Sequence, residues 1–159
     1  MSIEIKKMET EEEIRGKAFV YWRCWHEVYA GIVDPDYLDS LTLEVCEERA
    51  FRSPDAHFVA KDNGRVIGFV GYGDRGEEAP EVGEIFTLYV LPEYWGKGIG
   101  RSLMEAALER LKEYPEICLW ALKENERAVR FYQKCGFCPD GEEKFSQKCG
   151  AAGIRLVLN

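Results

Sequence analysis

Glu84-Ile85-Phe86-Thr87-Leu88-Tyr89-Val90-Leu91-Pro92-Glu93-Tyr94-Trp95-Gly96-Lys97-Gly98-Ile99-Gly100-Arg101 is the stretch on which the fold turns. Its first half reads as a strand over 81–91, closed by Pro92. Its second half leads through a glycine-rich turn into an amphipathic helix over 99–114, with Leu103, Met104, Ala107, Leu108 and Leu111 on one face. Glycines at 96, 98 and 100 let a backbone approach a ligand closely, and the helix start behind them offers unpaired N–H groups with a partial positive charge. That combination suits a pyrophosphate. The Walker pattern fails because no Gly-Lys-Ser/Thr follows, and the G-x-G-x-x-G dinucleotide spacing is absent.

Outward from this centre the pattern stays legible. A strand over 117–122 follows the helix, so the strand–helix–strand unit should place its two strands parallel through a right-handed crossover. Upstream, 57–62 and 65–73 flank Asn63-Gly64 as a β-hairpin. Ile3, Ile5 and Met8 alternate as a half-buried strand. Thr10 with Glu13 forms a capping box that opens a helix through Ile14, Ala18, Trp22, Trp25 and Val28 to about Tyr29, where Gly31 stops it. Asp34-Pro35-Asp36 marks a turn or short helix, 41–51 a second short helix, 126–134 a helix ended by Gly136, and 154–158 a terminal strand. One or two strands close the chain. The order predicts an α+β fold with a mixed, mostly antiparallel sheet flanked by helices.

At 159 residues, one domain is the expectation. Within it the chain divides into the elements of 1–80, the strand–turn–helix core of 81–137 and the C-terminal strands of 138–159. No apolar run reaches membrane length and no signal-peptide pattern opens the chain, so a cytoplasmic protein is expected. The net charge of −8 argues against nucleic-acid or membrane partners. Its distribution is uneven: residues 1–93 hold 10 Lys+Arg against 20 Asp+Glu, residues 94–134 hold 8 against 6, and 135–159 hold 3 against 3. Only the middle segment suits an anion. Cys24, Cys46, Cys118, Cys135, Cys138 and Cys149 read as reduced thiols. The Cys135-x-x-Cys138 pair lacks the second pair that a zinc site usually needs, so no metal is expected.

A second motif lies one strand beyond the glycine-rich turn: Asn125-Glu-Arg-Ala128-Val-Arg-Phe131-Tyr132-Gln-Lys-Cys-Gly136-Phe137. Together the two resemble the GCN5-related N-acetyltransferase (GNAT) family. That family's loop reads Gln/Arg-x-x-Gly-x-Gly/Ala, followed at this distance by Asn-x-x-Ala-x-x-Phe-Tyr-x-x-x-Gly-Phe. The motif match spans about 84–137, and the element order extends it over the chain. Trp95 departs from the pattern, standing where the family has Gln or Arg.

The resemblance implies acetyl-CoA as co-substrate. Its phosphates would rest on Trp95, Gly96, Lys97, Gly98, Ile99, Gly100 and Arg101, its pantetheine arm on freed backbone at Leu88, Tyr89 and Val90, with Asn125 and Tyr132 beside the arm. Lys97 and Arg101 would assist the phosphates, the alternative being solvated residues at a helix start. Tyr132 would be the general acid to the departing thiolate. Glu84 would be the base that takes the amine proton, with His26 or water as alternatives. Trp25, His26 and Tyr29 fall on the acceptor wall, where acid and aromatic groups would favour a cationic small amine; Trp22 and Trp25 can also be read as core. A peptide N-terminus or lysine is the alternative acceptor, and a non-catalytic acyl-CoA-binding module the alternative function. The sequence leaves room for a homodimer.

Overall fold

In the computed structural model, which describes residues 2–54 and 56–159, local sequence signals become elements for identifiable reasons. Strand β1 (Ile3–Lys7) leads into helix α1 (Glu11–Val28) through the capping box that the sequence announces. The Thr10 hydroxyl accepts the Glu13 N–H at 3.1 Å, and the Glu13 carboxylate accepts the Thr10 N–H at 3.1 Å. Glu13 does more than cap. It is buried and also takes Lys6 at 2.8 Å, Lys61 at 3.0 Å and the Glu9 N–H at 2.8 Å. Burial by itself would raise its pKa, but these hydrogen bonds outweigh burial and hold the carboxyl well below the usual range.

Short helices α2 (Pro35–Ser40), capped by Asp34, and α3 (Leu43–Arg52), capped by Thr42, follow α1. Next come strands β2 (His57–Asp62), β3 (Arg65–Asp74) and β4 (Val82–Val90). Helix α4 (Ile99–Leu111), strand β5 (Glu116–Leu122), helix α5 (Glu126–Lys134) and strands β6 (Phe137–Ser146) and β7 (Ala151–Leu158) complete the order. The sheet runs β1-β2-β3-β4-β5-β7-β6, and every pair is antiparallel except β4–β5. The parallel pair carries the α4 crossover, as the strand–helix–strand reading predicts.

The buried face of α1 is not the expected aromatic stripe. Ile14 and Ala18 are buried as read, but Val20 and Cys24 complete that face while Trp22 and Trp25 are only partly buried at its margin. Helix α4 buries Ile99, Leu103, Met104, Ala107 and Leu111 against the sheet and stops three residues short of Tyr114. Strand β6 is longer than the sequence suggests. It is an edge strand exposed over nearly its whole length, so its sequence carries no alternation of apolar residues.

Two features of β4 create a cleft. Its pairing with β5 covers only Val82 to Ile85 and ends at Ile85 opposite Leu119, after which the strands diverge. At that point a bulge against β3 leaves Phe86 unopposed, between Ile85 facing Tyr72 and Thr87 facing Gly71. A bulge bends and re-aims the strand that carries it. Residues 86–90 therefore leave the parallel pair while remaining paired to β3.

Candidate active site

The register of β4 decides which peptide groups face the gap. The Leu91 N–H donates to the Ile67 carbonyl at 2.9 Å, and antiparallel pairs alternate between bonded and non-bonded. Tyr89 therefore turns its peptide groups toward β3, and Leu88 and Val90 turn theirs away, into the opening. The Val90 carbonyl is already engaged there. It accepts the Trp95 indole N–H at 2.8 Å and the Cys24 thiol at 3.5 Å.

The turn after β4 forms a cradle in which its glycines do different work. Gly96 and Gly98 have φ of 77° and 80°, left-handed values that disfavour any other residue, and a Cβ at either would meet nothing within 4 Å. The space above them is open. Gly98 is the N-cap of α4 and makes no side-chain cap, so the first N–H groups of the helix face the cradle without a side-chain partner. Gly100 is instead a packing residue: a Cβ there would lie 3.3 Å from the Phe131 ring, which brings α5 close to α4.

A cleft of about 510 Å³ runs along this cradle. Its charged lining consists of Arg101 from α4 and Arg127, Arg130 and Lys134 from α5, and among the described residues no carboxylate lines it. In a chain of net charge −8 that is a marked local reversal. Arg101 lines the cleft as expected, whereas Lys97 does not. The three α5 cations went unnoticed in the sequence, although their spacing of three and four residues puts them on one helical face. The Arg127 guanidinium lies 3.2 Å from the centre of the Trp95 ring, so the residue that departs from the loop pattern carries a cation on its face.

A smaller cavity of about 180 Å³ opens on the other side of the splay, walled by Trp25, Phe86, Trp120 and the residues of the junction. The two spaces share Tyr29, Leu88, Tyr89, Asn125, Ala128 and Tyr132. Asn125 caps α5, its side-chain oxygen accepting the Ala128 N–H at 3.4 Å. The Tyr89 hydroxyl accepts the Trp25 indole N–H at 3.1 Å and sits 3.2 Å from the Tyr29 hydroxyl. Tyr132 packs edge-on against Phe131 and Phe137 at centroid distances of 5.5 and 6.4 Å. Burial raises the phenol pKa of Tyr29, Tyr89 and Tyr132, which keeps all three as hydrogen-bond donors at neutral pH.

Neither residue expected as a base, Glu84 or His26, lines these spaces. Glu84 is 5 % exposed, bonded by both carboxylate oxygens to Arg75, and lines neither space. His26 lies beside Trp22 with the rings tilted, and its Nε2 bonds to the Leu41 carbonyl at 2.7 Å, so that nitrogen carries the proton; it too lines neither space. Of the residues expected on the acceptor wall, Trp25 and Tyr29 line the smaller cavity and His26 does not. His57 faces Gly71 across β2–β3, and its Nε2 and the Thr87 hydroxyl fill the space over that glycine, 2.8 and 2.7 Å from where a Cβ would stand. Cys135 and Cys138 are free thiols.

Comparison with known proteins agrees with this geometry. The profile of the acetyltransferase (GNAT) family matches residues 19–137. The chain belongs to the GNAT family. It is 32% identical over 152 residues to YuaI, an uncharacterised N-acetyltransferase of Bacillus subtilis, covering 91% of this chain and 84% of that one. An uncharacterised N-acetyltransferase of Archaeoglobus fulgidus is 43% identical over 118 residues, 69% of this chain and 79% of its own. The PaiA N-acetyltransferase of Thermoplasma acidophilum, solved in complex with coenzyme A, superimposes with a TM-score of 0.74 at 26% identity, covering 96% of this chain and 98% of that one. The chain is thus an acyltransferase with the GNAT fold, and Trp95 is its own departure from the GNAT loop pattern. No helix among the described residues is long and apolar enough to cross a membrane.

Proposed function

We propose that this GNAT enzyme transfers the acetyl group of acetyl-CoA to a primary amine by direct attack within a ternary complex. The observation that carries the reading is the meeting of two unlike spaces at the β4–β5 splay. One is lined by cations and uncapped helix N–H groups, the other by aromatic rings, and they join at Tyr29, Tyr89, Asn125 and Tyr132. The similarity to a PaiA protein solved with coenzyme A supports assigning the first space to the cofactor.

Gly96, Gly98 and the first turn of α4 fit a pyrophosphate, since the space over the glycines is open and the helix start lacks a side-chain cap. Arg101, Arg127, Arg130 and Lys134 supply the counter-charge. Leu88 and the Val90 N–H offer peptide groups to the pantetheine arm, while the Val90 carbonyl becomes available only if the Trp95 indole releases it. At the junction, the nitrogen lone pair attacks the thioester carbonyl, a C–N bond forms and the C–S bond breaks. One proton leaves nitrogen and one reaches sulfur, so a neutral amine needs no net proton exchange with solvent. Tyr132 is the donor to the developing thiolate. A thiol titrates near 8.5 and a phenol near 10, so its contribution is a strengthening hydrogen bond rather than a completed transfer.

The uneven charge of the sequence suggested a cationic small-molecule acceptor. The acidic residues do not gather at the acceptor cavity: among the described residues lining it, none is a carboxylate. The amine is therefore received by rings and neutral hydrogen-bonding groups. Initial rates of coenzyme A release, measured over a matrix of acetyl-CoA and amine concentrations, test the reading. Intersecting double-reciprocal lines are expected, and parallel lines would replace direct attack with an acyl-enzyme route through a nucleophile such as Cys24.

A further inference from the structure

The acceptor cavity is neutral on every side. Among the described residues that line it there is no carboxylate, imidazole, lysine or arginine. The titratable groups at the junction are Tyr29 from the α1 end, Tyr89 from β4 and Tyr132 from α5, with Cys24 on the cofactor side, and burial raises all of them, Cys24 to about 12. Of the nearby cations, Arg101, Arg127, Arg130 and Lys134 line the cofactor cleft, and Arg75 and Lys144 lie over the Phe86 and Trp120 rings without lining the cavity. A protonated amine brought into this space would lose its hydration and find no counter-charge and no group able to take its proton.

The Thr87 hydroxyl oxygen is buried over Gly71, beside His57 Nε2, and is closed off from the cavity. Around the cavity stand Trp25, Phe86, Trp120 and the Tyr29–Tyr89 pair, in a volume suited to one side chain rather than an extended polyamine. Phe86, 43 % exposed at the bulge of β4, is an apolar wall left open to solvent.

Resting on the transferase reading above, we propose that the acceptor is an α-amine adjacent to an amide carbonyl. Its first side chain, apolar or aromatic, occupies the ring-walled cavity. Lysine side chains and polyamines are disfavoured by ionisation. With a pKa near 7.8 against about 10.4, an α-amine is neutral about 200–400 times more often than an ε-amine at pH 7. The greater nucleophilicity of the more basic amine offsets part of that ratio. At pH 9 the advantage in neutral fraction has shrunk about 10-fold.

The experiment compares kcat/KM at pH 7 and pH 9 for phenylalaninamide, glycinamide, a peptide beginning with Phe, Nα-acetyl-lysine N-methylamide and spermidine. Phenylalaninamide or the peptide should exceed the lysine analogue and spermidine by at least about 10-fold at pH 7, with the gap closing at pH 9. The two leading probes separate a free amino-acid amide from a peptide terminus. Phe86→Ala should lower the preference for phenylalaninamide over glycinamide. Equal or better use of the lysine analogue or spermidine at pH 7 overturns the inference, as does a preference that does not change with pH. If acetyl-CoA binds and no amine is acetylated, the transferase reading falls and the inference falls with it.

Discussion

Arg75 and Glu84 are joined by two hydrogen bonds, Nε to Oε1 at 2.8 Å and Nη2 to Oε2 at 2.9 Å, beside the last residues that β4 pairs with β5. The guanidinium also lies over the Phe86 ring, 5.6 Å from its centre. One cation thus spans the carboxylate on the paired part of β4 and the ring on the bulge that begins the splay. The arrangement describes Glu84 as an anchor for the start of the cleft.

Two roles for Glu84 can be separated by experiment. As an anchor, Glu84→Gln and Arg75→Ala should each cost about 1–3 kcal/mol of stability, between the surface and buried limits because half of the Arg75 side chain is exposed. Both variants should then keep the shape of the wild-type pH–rate profile. As the base, Glu84→Gln alone should lower kcat/KM by about 10²-fold and weaken the rise toward basic pH. Denaturant melts and pH profiles on the two variants decide between them.

Glu13 makes stability depend on acid. Its carboxyl is held below the ordinary value near 4.3, so the folded state binds fewer protons than the unfolded state in that range. The contribution is fully present above about pH 5 and declines as pH falls through the unfolded value toward the folded one. Glu13→Gln should lower the melting temperature at pH 7 and flatten the decline between about pH 5 and pH 3. Unchanged acid sensitivity in the variant would assign it to other carboxylates.

The cradle is tested through Gly98. Acetyl-CoA should raise the melting temperature of the wild type, since a ligand that binds only the folded state stabilises it. Gly98→Glu places bulk and negative charge in the open space above the turn and should abolish that shift. Gly98→Ala isolates the backbone effect: at φ of 80° it should cost about 1 kcal/mol while leaving a measurable shift. A full shift in Gly98→Glu would put the cofactor elsewhere.

How far the sequence reaches can be judged from these residues. Thr10 with Glu13, Asn63-Gly64 and the Gly96–Gly100 turn act through local chemistry, and each was readable because its partners lie within a few positions. The parallel β4–β5 pair was readable from topology, since a strand–helix–strand unit has one favoured crossover. What escaped depends on distant partners. Nothing near Glu84 announces that Arg75 will take both its oxygens. Nothing in the loop states that Trp95 will bond to Val90 and carry Arg127. The face of α5 bearing Arg127, Arg130 and Lys134 was visible as a spacing, but only the packing of Phe131 against Gly100 shows that it turns toward the cradle. Strand β6 was obscured because an exposed edge needs no apolar alternation.

The last prediction separates the chemistry of Tyr132 from its packing. Its ring rests between Phe131 and Phe137, and Tyr132→Phe keeps that ring while removing only the hydroxyl. Acetyl-CoA affinity, read from titration calorimetry, should change little. The hydroxyl reaches its full worth only when the sulfur becomes anionic, an interaction made chiefly in the transition state and expressed in kcat. A fall of about 10²-fold in kcat is expected. Because burial raises the Tyr132 phenol above its ordinary value near 10, the wild-type kcat profile should show no falling limb from its ionisation up to about pH 10. An unaltered kcat in Tyr132→Phe would make the residue a packing element and leave the thiolate to solvent; a joint loss of affinity and kcat would make its hydroxyl a ground-state contact to the cofactor.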